Sequence, residues 1–186
     1  MASSIIASVQ STSGNQPRMR RIIEKAGQTF LSGVPVEIDS ADGGVKEWTG
    51  APTTDSIAGF SKEFANQLSS TGVPKQIQQG TVPNQASAQN IMRPYFNDGR
   101  IGFEAADGDT VFLGQVGPAQ TALVTDVGKH YGMTKDADNH WYVDKAKLTV
   151  GTNTVCTIVK LDPNDQSATP RGVYFTIDPA NAQIVA

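Results

Sequence analysis

Residues 34–39 read VPVEID, so apolar side chains alternate with Pro, Glu and Asp along this stretch. A period of two is typical of a β-strand that buries one face. Because Pro35 has no N–H to donate to a neighbouring strand, this strand is predicted to lie at a sheet edge or to begin there. An Asp-Gly-Gly turn follows at residues 42–44, and residues 45–48 are predicted to form the returning strand of a hairpin.

Short apolar runs separated by Gly, Asp and Pro continue along the chain, with the glycines predicted at the turns. Further strands are predicted at residues 56–60, 100–104, 111–116, 119–124, 141–143, 154–161, 173–177 and 183–185. Residues 62–68 are predicted to form a short helix, and residues 125–132 a single helical turn. The predicted fold class is mainly β, an antiparallel sandwich or barrel with short helices and an N-terminal extended arm.

The chain has 186 residues, which suits one domain or one domain with an appended lobe. Residues 1–21 begin with a run rich in Ser, Gln, Asn and Gly and are predicted to form an extended arm. Residues 72–94 are predicted to form a polar loop or insert, because they offer few hydrophobic anchors. The remainder is predicted to form a small β-rich lobe at 22–71 and a β-sandwich or barrel domain at 95–186.

Charge is sparse, since charged residues make up 18% of the chain against about 25% in a typical domain. The formal net charge is −3, whereas a protein that binds duplex nucleic acid normally carries a basic face. Arg18, Arg20 and Arg21 form the one dense basic cluster, predicted to be solvated or to contact a neighbouring protein. No signal peptide or membrane span is expected, because no apolar run is long enough.

Candidate catalytic and metal-binding residues are few. Cys156 is the single cysteine and lies in a predicted strand, where it is expected to pack as a small apolar side chain. The closest approach to a metal-ligand cluster is formed by Asp136, Asp138 and His140. The preferred interpretation of these residues is a polar hairpin tip between two strands. The other histidine, His130, has no motif around it. We therefore predict no catalytic, cofactor-binding or metal-binding residues, and a protein that is not an enzyme.

Two groups of segments resemble the capsid decoration (cement) proteins of tailed phages. The first group comprises residues 26–36 (AGQTFLSGVPV), 43–45 (GGV) and 57–61 (IAGFS), and the second comprises residues 127–133 (VGKHYGM) and 141–145 (WYVDK). The resemblance covers roughly residues 22–61 and, more loosely, 100–178. It implies a structural virion protein on the outer capsid surface, assembled in the host cytoplasm. The implied partners are the major capsid protein and further copies in a homotrimer, with no membrane, cofactor or specific nucleic acid.

The predicted adhesive elements are the polar arm and the Gln-rich insert, and residues 1–21 are chosen as the ones that contact neighbouring subunits. The predicted contact residues are Ile5, Ile6, Val9, Arg18, Arg20 and Arg21. Two alternatives stay open at this point. The chain is another virion component, such as a head-fibre base or a tail or adaptor subunit, or it is a glycan-binding module that uses Trp48, Trp141 or Tyr142.

Overall fold

The computed structural model describes residues 6–11, 16–65, 99–148 and 153–184. Within these ranges it contains eleven β-strands and one turn of 3-10 helix, Val124–Asp126. The strands are β1 Ala7–Ser11, β2 Met19–Ile23, β3 Pro35–Ile38, β4 Val45–Glu47, β5 Gly59–Ser61, β6 Arg100–Ala105, β7 Thr110–Gln115, β8 His130–Lys135, β9 Trp141–Asp144, β10 Cys156–Leu161 and β11 Gly172–Ile177. The predicted mainly β class is confirmed.

Two sheets are built from these strands, and their paired strands run antiparallel. The six-stranded sheet has the order β1-β7-β11-β10-β8-β9, and the five-stranded sheet has the order β2-β6-β5-β3-β4. Both sheets curl: Val116, just after β7, bridges Val143 of β9, and Glu24, just after β2, bridges Val45 of β4. The two N-terminal strands, β1 and β2, pair directly with β7 and β6.

A single hydrophobic cluster joins the sheets. Phe60 of the five-stranded sheet lies 4.5 Å from Phe112 and 5.9 Å from Phe175 of the six-stranded sheet, measured between ring centroids. Trp48, which follows β4, meets Trp141 of β9 at 5.2 Å. Aromatic pairs at such separations contribute packing energy beyond their buried area, so these contacts fix the sheets against each other as a sandwich.

The β3–β4 hairpin follows the local sequence pattern. Pro35 is the first residue of β3, as predicted, and its carbonyl accepts a hydrogen bond from Trp48 N–H. Gly43 has a φ of 71°, a left-handed conformation that glycine adopts without strain. The Asp42 side chain accepts a hydrogen bond from Gly44 N–H at 2.9 Å, which closes the turn.

Long-range pairing differs from the predicted division of the chain. β6 lies between β2 and β5, so strands from before and after residues 66–98 share one sheet and one core. Residues 7–11 and 19–21 of the predicted arm lie in β1 and β2, because backbone pairing needs no apolar side chains. The predicted insert at residues 72–94 lies outside the described residues.

Three local predictions differ from the structure. Residues 62–65 form bends instead of the start of a helix, and residues 66–68 lie outside the described residues. The predicted strand at 119–124 is irregular and leads into the 3-10 turn, which supplies the helical turn predicted nearby. Residues 183 and 184 of the predicted last strand form bends.

Candidate functional site

The predicted contact residues differ in their surroundings. Ile5 lies outside the described residues, and Ile6 is buried in the core, where it packs beside Gly114 of β7. Val9, Arg18 and Arg20 are exposed on or beside the N-terminal strands. Ile6 therefore anchors this segment to its own chain in the structure, and is not presented to a neighbour.

Arg21 is half-buried and has a partner within the chain. Its guanidinium lies 3.2 Å from the Glu63 carboxylate, which also accepts a hydrogen bond from Gly102 N–H. Two further residues of β2, Met19 and Ile23, are each 54% exposed. They were not among the contact residues predicted from the sequence. Side chains alternate between the two faces of a strand, so every second residue of β2 points to the same face. This alternation could have identified both residues.

His130 is the nearest approach to a catalytic arrangement. Its Nδ1 atom lies 2.9 Å from Thr157 Oγ1 and 3.0 Å from an Asp178 carboxylate oxygen. The Thr157 hydroxyl also donates to Asp178. In a hydrolytic triad the nucleophile and the acid contact opposite nitrogens of the imidazole, so that the ring can accept one proton while the acid orients it. Here Thr157 and Asp178 both contact the same nitrogen, Nδ1. This arrangement links β8, β10 and the end of β11.

Asp136, Asp138 and His140 form the polar hairpin tip that was predicted between β8 and β9. One oxygen of the Asp136 carboxylate accepts hydrogen bonds from Asp138 N–H at 2.9 Å and His140 N–H at 2.8 Å. Asn139 has a φ of 65°, which lets the chain reverse within this tip. Within the described ranges, no three His, Cys, Asp or Glu side chains come together to hold a metal ion.

A buried ion pair lies beneath the loop that precedes β8. The Asp126 carboxylate accepts hydrogen bonds from Tyr131 Oη at 2.7 Å and Leu123 N–H at 2.8 Å, and it lies 2.6 Å from Lys145 Nζ. Burial raises the pKa of Asp126, but the hydrogen bonds from Lys145, Leu123 and Tyr131 outweigh it and hold that pKa below its usual value. Lys145 also donates to Thr121 O at 2.7 Å. The loop is therefore held at several points.

The same loop presents apolar side chains to solvent. Leu123, Val124 and Val127 are exposed, Val124 by 76%. Val159 of β10 is also exposed. The loop is tied to β10 by a hydrogen bond of 2.7 Å from Gly128 N–H to the carbonyl of Ile158. We name Leu123, Val124 and Val127 the apolar loop. Rigid exposed aliphatic side chains of this kind mark a contact surface more often than a catalytic one.

A groove of about 450 Å³ lies at the far end of β8. It is lined by Gly27, Gln28, Thr29, Phe30, Leu31, Val34, Glu47, Lys135 and Asn139, and we name it the Leu31 groove. Phe30 and Val34 are buried, whereas Leu31 is exposed beside the opening. Glu47 pairs with Lys135 Nζ at 2.8 Å and accepts a hydrogen bond from Trp141 Nε1 at 2.8 Å, so its charge is already balanced within the chain.

The aromatic side chains considered for glycan binding are mostly internal. Trp48 and Trp141 are 2% and 4% exposed and belong to the core. Only Tyr142 of the three is half-buried. A sugar stacks on an accessible aromatic face, so the two tryptophans do not supply a platform in this structure.

Cys156 is fully buried, and its Sγ lies 3.3 Å from the carbonyl of Tyr131. Desolvation, reinforced by the nearby Asp178 charge, raises the pKa of the thiol well above its usual value. We therefore expect no reaction with a thiol reagent in the native protein and complete reaction in denaturant. Labelling followed by mass spectrometry checks this, and fast labelling of native protein would show that β10 opens readily.

Comparison with known proteins assigns the chain to no family. No family model, curated protein or solved structure matches the chain. Among the described residues, no helix is long and apolar enough to cross a membrane.

Proposed function

We propose that this chain is a structural virion protein. It binds the outer surface of a phage capsid and stabilises the shell by clamping neighbouring major capsid subunits, as a homotrimer and without enzymatic activity. The resemblance of residues 22–61 and 100–178 to decoration proteins supports this proposal. The mainly β body of the described residues suits such a rigid clamp.

The geometry of the N-terminal strands carries the proposal. β1 pairs with β7 of one sheet, and β2 pairs with β6 of the other, so this segment is tied to both sheets. Its side chains nevertheless reach solvent at Val9, Met19 and Ile23. A segment that is anchored by its backbone and exposes apolar side chains loses little conformational entropy when it docks on a flat neighbouring surface.

The polar clusters give further support for a structural role. His130 Nδ1 and the carboxylates of Asp126 and Asp136 each make hydrogen bonds to other groups of the same chain. Repeated over a symmetrical shell, modest contacts of the N-terminal strands add up through avidity and need no single strong site.

Copy number and heat resistance of virus heads test the proposal. We expect mass spectrometry of purified particles to find hundreds of copies of this chain per particle. Heads that carry the protein are expected to release their DNA at a higher temperature than heads without it, because clamps across subunit boundaries oppose rupture. A few copies per particle would favour the head-fibre base or tail and adaptor alternatives, and equal heat resistance of both kinds of head would contradict the clamp.

Single variants locate the docking strands. Met19→Asp places a charge on the exposed face of β2. It is expected to weaken binding to virus heads that lack this protein by about tenfold or more. Leu148→Asp is the matched control, because Leu148 is similarly exposed and lies outside the N-terminal strands. Equal binding of the two variants would place the docking surface elsewhere on the chain.

A further inference from the structure

The Leu31 groove lies where the two sheets meet. Lys135 belongs to β8 of the six-stranded sheet and Glu47 to β4 of the five-stranded sheet, and both line the groove. Residues 27–31, which precede β3, and Asn139 in the tip between β8 and β9 supply most of the remaining lining. The surface that the groove exposes is mainly polar. It is therefore suited to a small ligand that is held by hydrogen bonds.

Charge within the groove is balanced. Among the described residues, Glu47 and Lys135 are the only charged ones that line it. The two carboxylate oxygens of Glu47 lie 2.8 Å and 3.0 Å from Lys135 Nζ. A bound anion would have to compete with Glu47 for Lys135, and a bound cation with Lys135 for Glu47. An uncharged ligand avoids this competition.

The polar groups of the groove include both donors and acceptors. An ammonium group has more N–H donors, and a carboxylate more acceptor positions, than the Lys135–Glu47 pair and Trp141 use. Thr29 and Asn139 are exposed at the groove, and the hydroxyl and the amide can each donate and accept. A hydroxyl group of a ligand also donates and accepts through one atom. A polyhydroxylated molecule therefore matches this mixture of groups.

Two of the polar side chains are held in place within the chain. Trp141 Nε1 donates to the Glu47 carboxylate at 2.8 Å. Gln28 Oε1 accepts a hydrogen bond from Glu47 N–H at 3.3 Å, which leaves the amide nitrogen of the same side chain as a donor. Groups that are fixed in this way lose little conformational entropy when a ligand binds. The geometry of the groove is therefore largely formed in advance.

We propose that the Leu31 groove binds a neutral sugar residue. The sugar hydroxyl groups bond to the ion pair and to the amide and hydroxyl groups described above, while Leu31, which is 53% exposed, covers a C–H face of the ring. The groove volume of about 450 Å³ lies towards the lower end of the roughly 300–1,000 Å³ found for small-molecule sites, which suits a single ring with its substituents. This site uses hydrogen bonds and an aliphatic contact, and does not depend on the two buried tryptophans.

Titration of the purified chain, followed by NMR, tests the site without any virus particle, so its outcome is separate from that of the proposed function. Glucose, galactose, mannose and N-acetylglucosamine are the probes. At least one of them is expected to shift the amide signals of residues 27–31, 135 and 139, with a Kd of about 0.1–10 mM. The corresponding disaccharide of each sugar is titrated in parallel. Tighter binding of the disaccharide identifies a glycan chain as the ligand, and equal affinity identifies a free sugar.

Charged sugars test the neutrality of the groove. Glucuronate differs from glucose, and glucosamine from N-acetylglucosamine, at the one position that carries the charge. Each charged sugar is expected to bind no more tightly than its neutral counterpart, because Lys135 and Glu47 neutralise each other. Binding of glucuronate or glucosamine that is tighter by about tenfold would identify an ion site and contradict the inference.

Two variants remove hydrogen-bonding groups from the groove and preserve the backbone. Thr29→Val replaces an exposed hydroxyl with a methyl group, and Asn139→Gly removes an amide at a position whose φ of 65° suits glycine. Each is expected to weaken sugar binding about three- to tenfold, which is the effect of losing a neutral hydrogen bond. Thr125→Val is the matched control, because Thr125 is also exposed and lies in the 3-10 turn, outside the groove. It is expected to bind like the wild type.

Three further results would overturn the inference. The first is the absence of any shift at the groove with all the sugars at about 50 mM. The second is a set of shifts confined to other surfaces of the chain. The third is wild-type affinity in both Thr29→Val and Asn139→Gly, with circular dichroism and thermal melting showing that the two variants are folded.

Discussion

Gly59→Ala is expected to lower the free energy of unfolding by about 3 kcal/mol or more, which corresponds to a fall in Tm of roughly 6–12 °C for a chain of this length. A Cβ atom at Gly59 in β5 would lie 2.0 Å from the carbonyl oxygen of Glu104 and 2.8 Å from the Phe103 ring. The carbonyl belongs to the backbone of β6, so relief requires the two strands to move apart. Urea and thermal unfolding measure the loss.

Gly102→Ala is the matched control, because Gly102 lies in β6 of the same sheet. A Cβ there would meet Glu63 at 3.5 Å, an ordinary van der Waals contact with a flexible side chain. We expect a change within about 0.5 kcal/mol of zero, or a small gain, since glycine within a strand costs conformational entropy. Equal losses in both variants would show that the close approach to Glu104 is not what requires glycine at residue 59.

The hairpin of β3 and β4 could be predicted from the sequence because its signals are local. Alternation over residues 34–39 and the Asp-Gly-Gly turn are sufficient to specify two paired strands. Asp42 closes the turn through Gly44 N–H, two residues away, and Gly43 adopts the positive φ that such a turn needs. Strands elsewhere in the chain were predicted on similar grounds, and most of them are present.

Pairing between distant strands could not be predicted in this way. Nothing in residues 100–105 shows that β6 lies between β2 and β5, because hydrophobic periodicity indicates a strand and not its partner. Gly59 and Gly102 lie in strands that were predicted, whereas Gly132 was predicted to end a helical turn and lies in β8. At Gly59 and Gly132 the need for glycine comes from a backbone carbonyl of a distant segment, which the local sequence does not contain.

The candidate surfaces were predicted only in part. The polar composition of residues 1–21 indicated an arm, but the backbone of Ala7–Ser11 pairs with β7 whatever its side chains are. Residues 119–124, which include Leu123 and Val124, were predicted to form a short strand. In the structure these side chains are exposed on a loop whose Asp126 pairs with Lys145, 19 residues later in the sequence.

Asp126→Ala is expected to destabilise the protein by about 3–5 kcal/mol at neutral pH. The substitution leaves Lys145, whose side chain is 18% exposed, without its counter-charge, and it removes the acceptor for Tyr131 Oη and Leu123 N–H. Unfolding by urea measures the loss. Lys145→Met is the partner variant, because it removes the charge and keeps much of the apolar stem. The double variant is expected to lose about 1–3 kcal/mol less than the sum of the two single losses.

The pH dependence of the difference in unfolding free energy between wild type and Asp126→Ala separates the effect of charge from that of packing. Because the folded pKa of Asp126 lies below its usual value, its carboxylate contributes stability above the unfolded pKa of about 3.9, and this contribution is lost as the pH falls through the folded pKa. The difference in unfolding free energy between wild type and Asp126→Ala is therefore expected to shrink below about pH 4. A difference that stays constant down to about pH 2.5 would show that lost packing accounts for it.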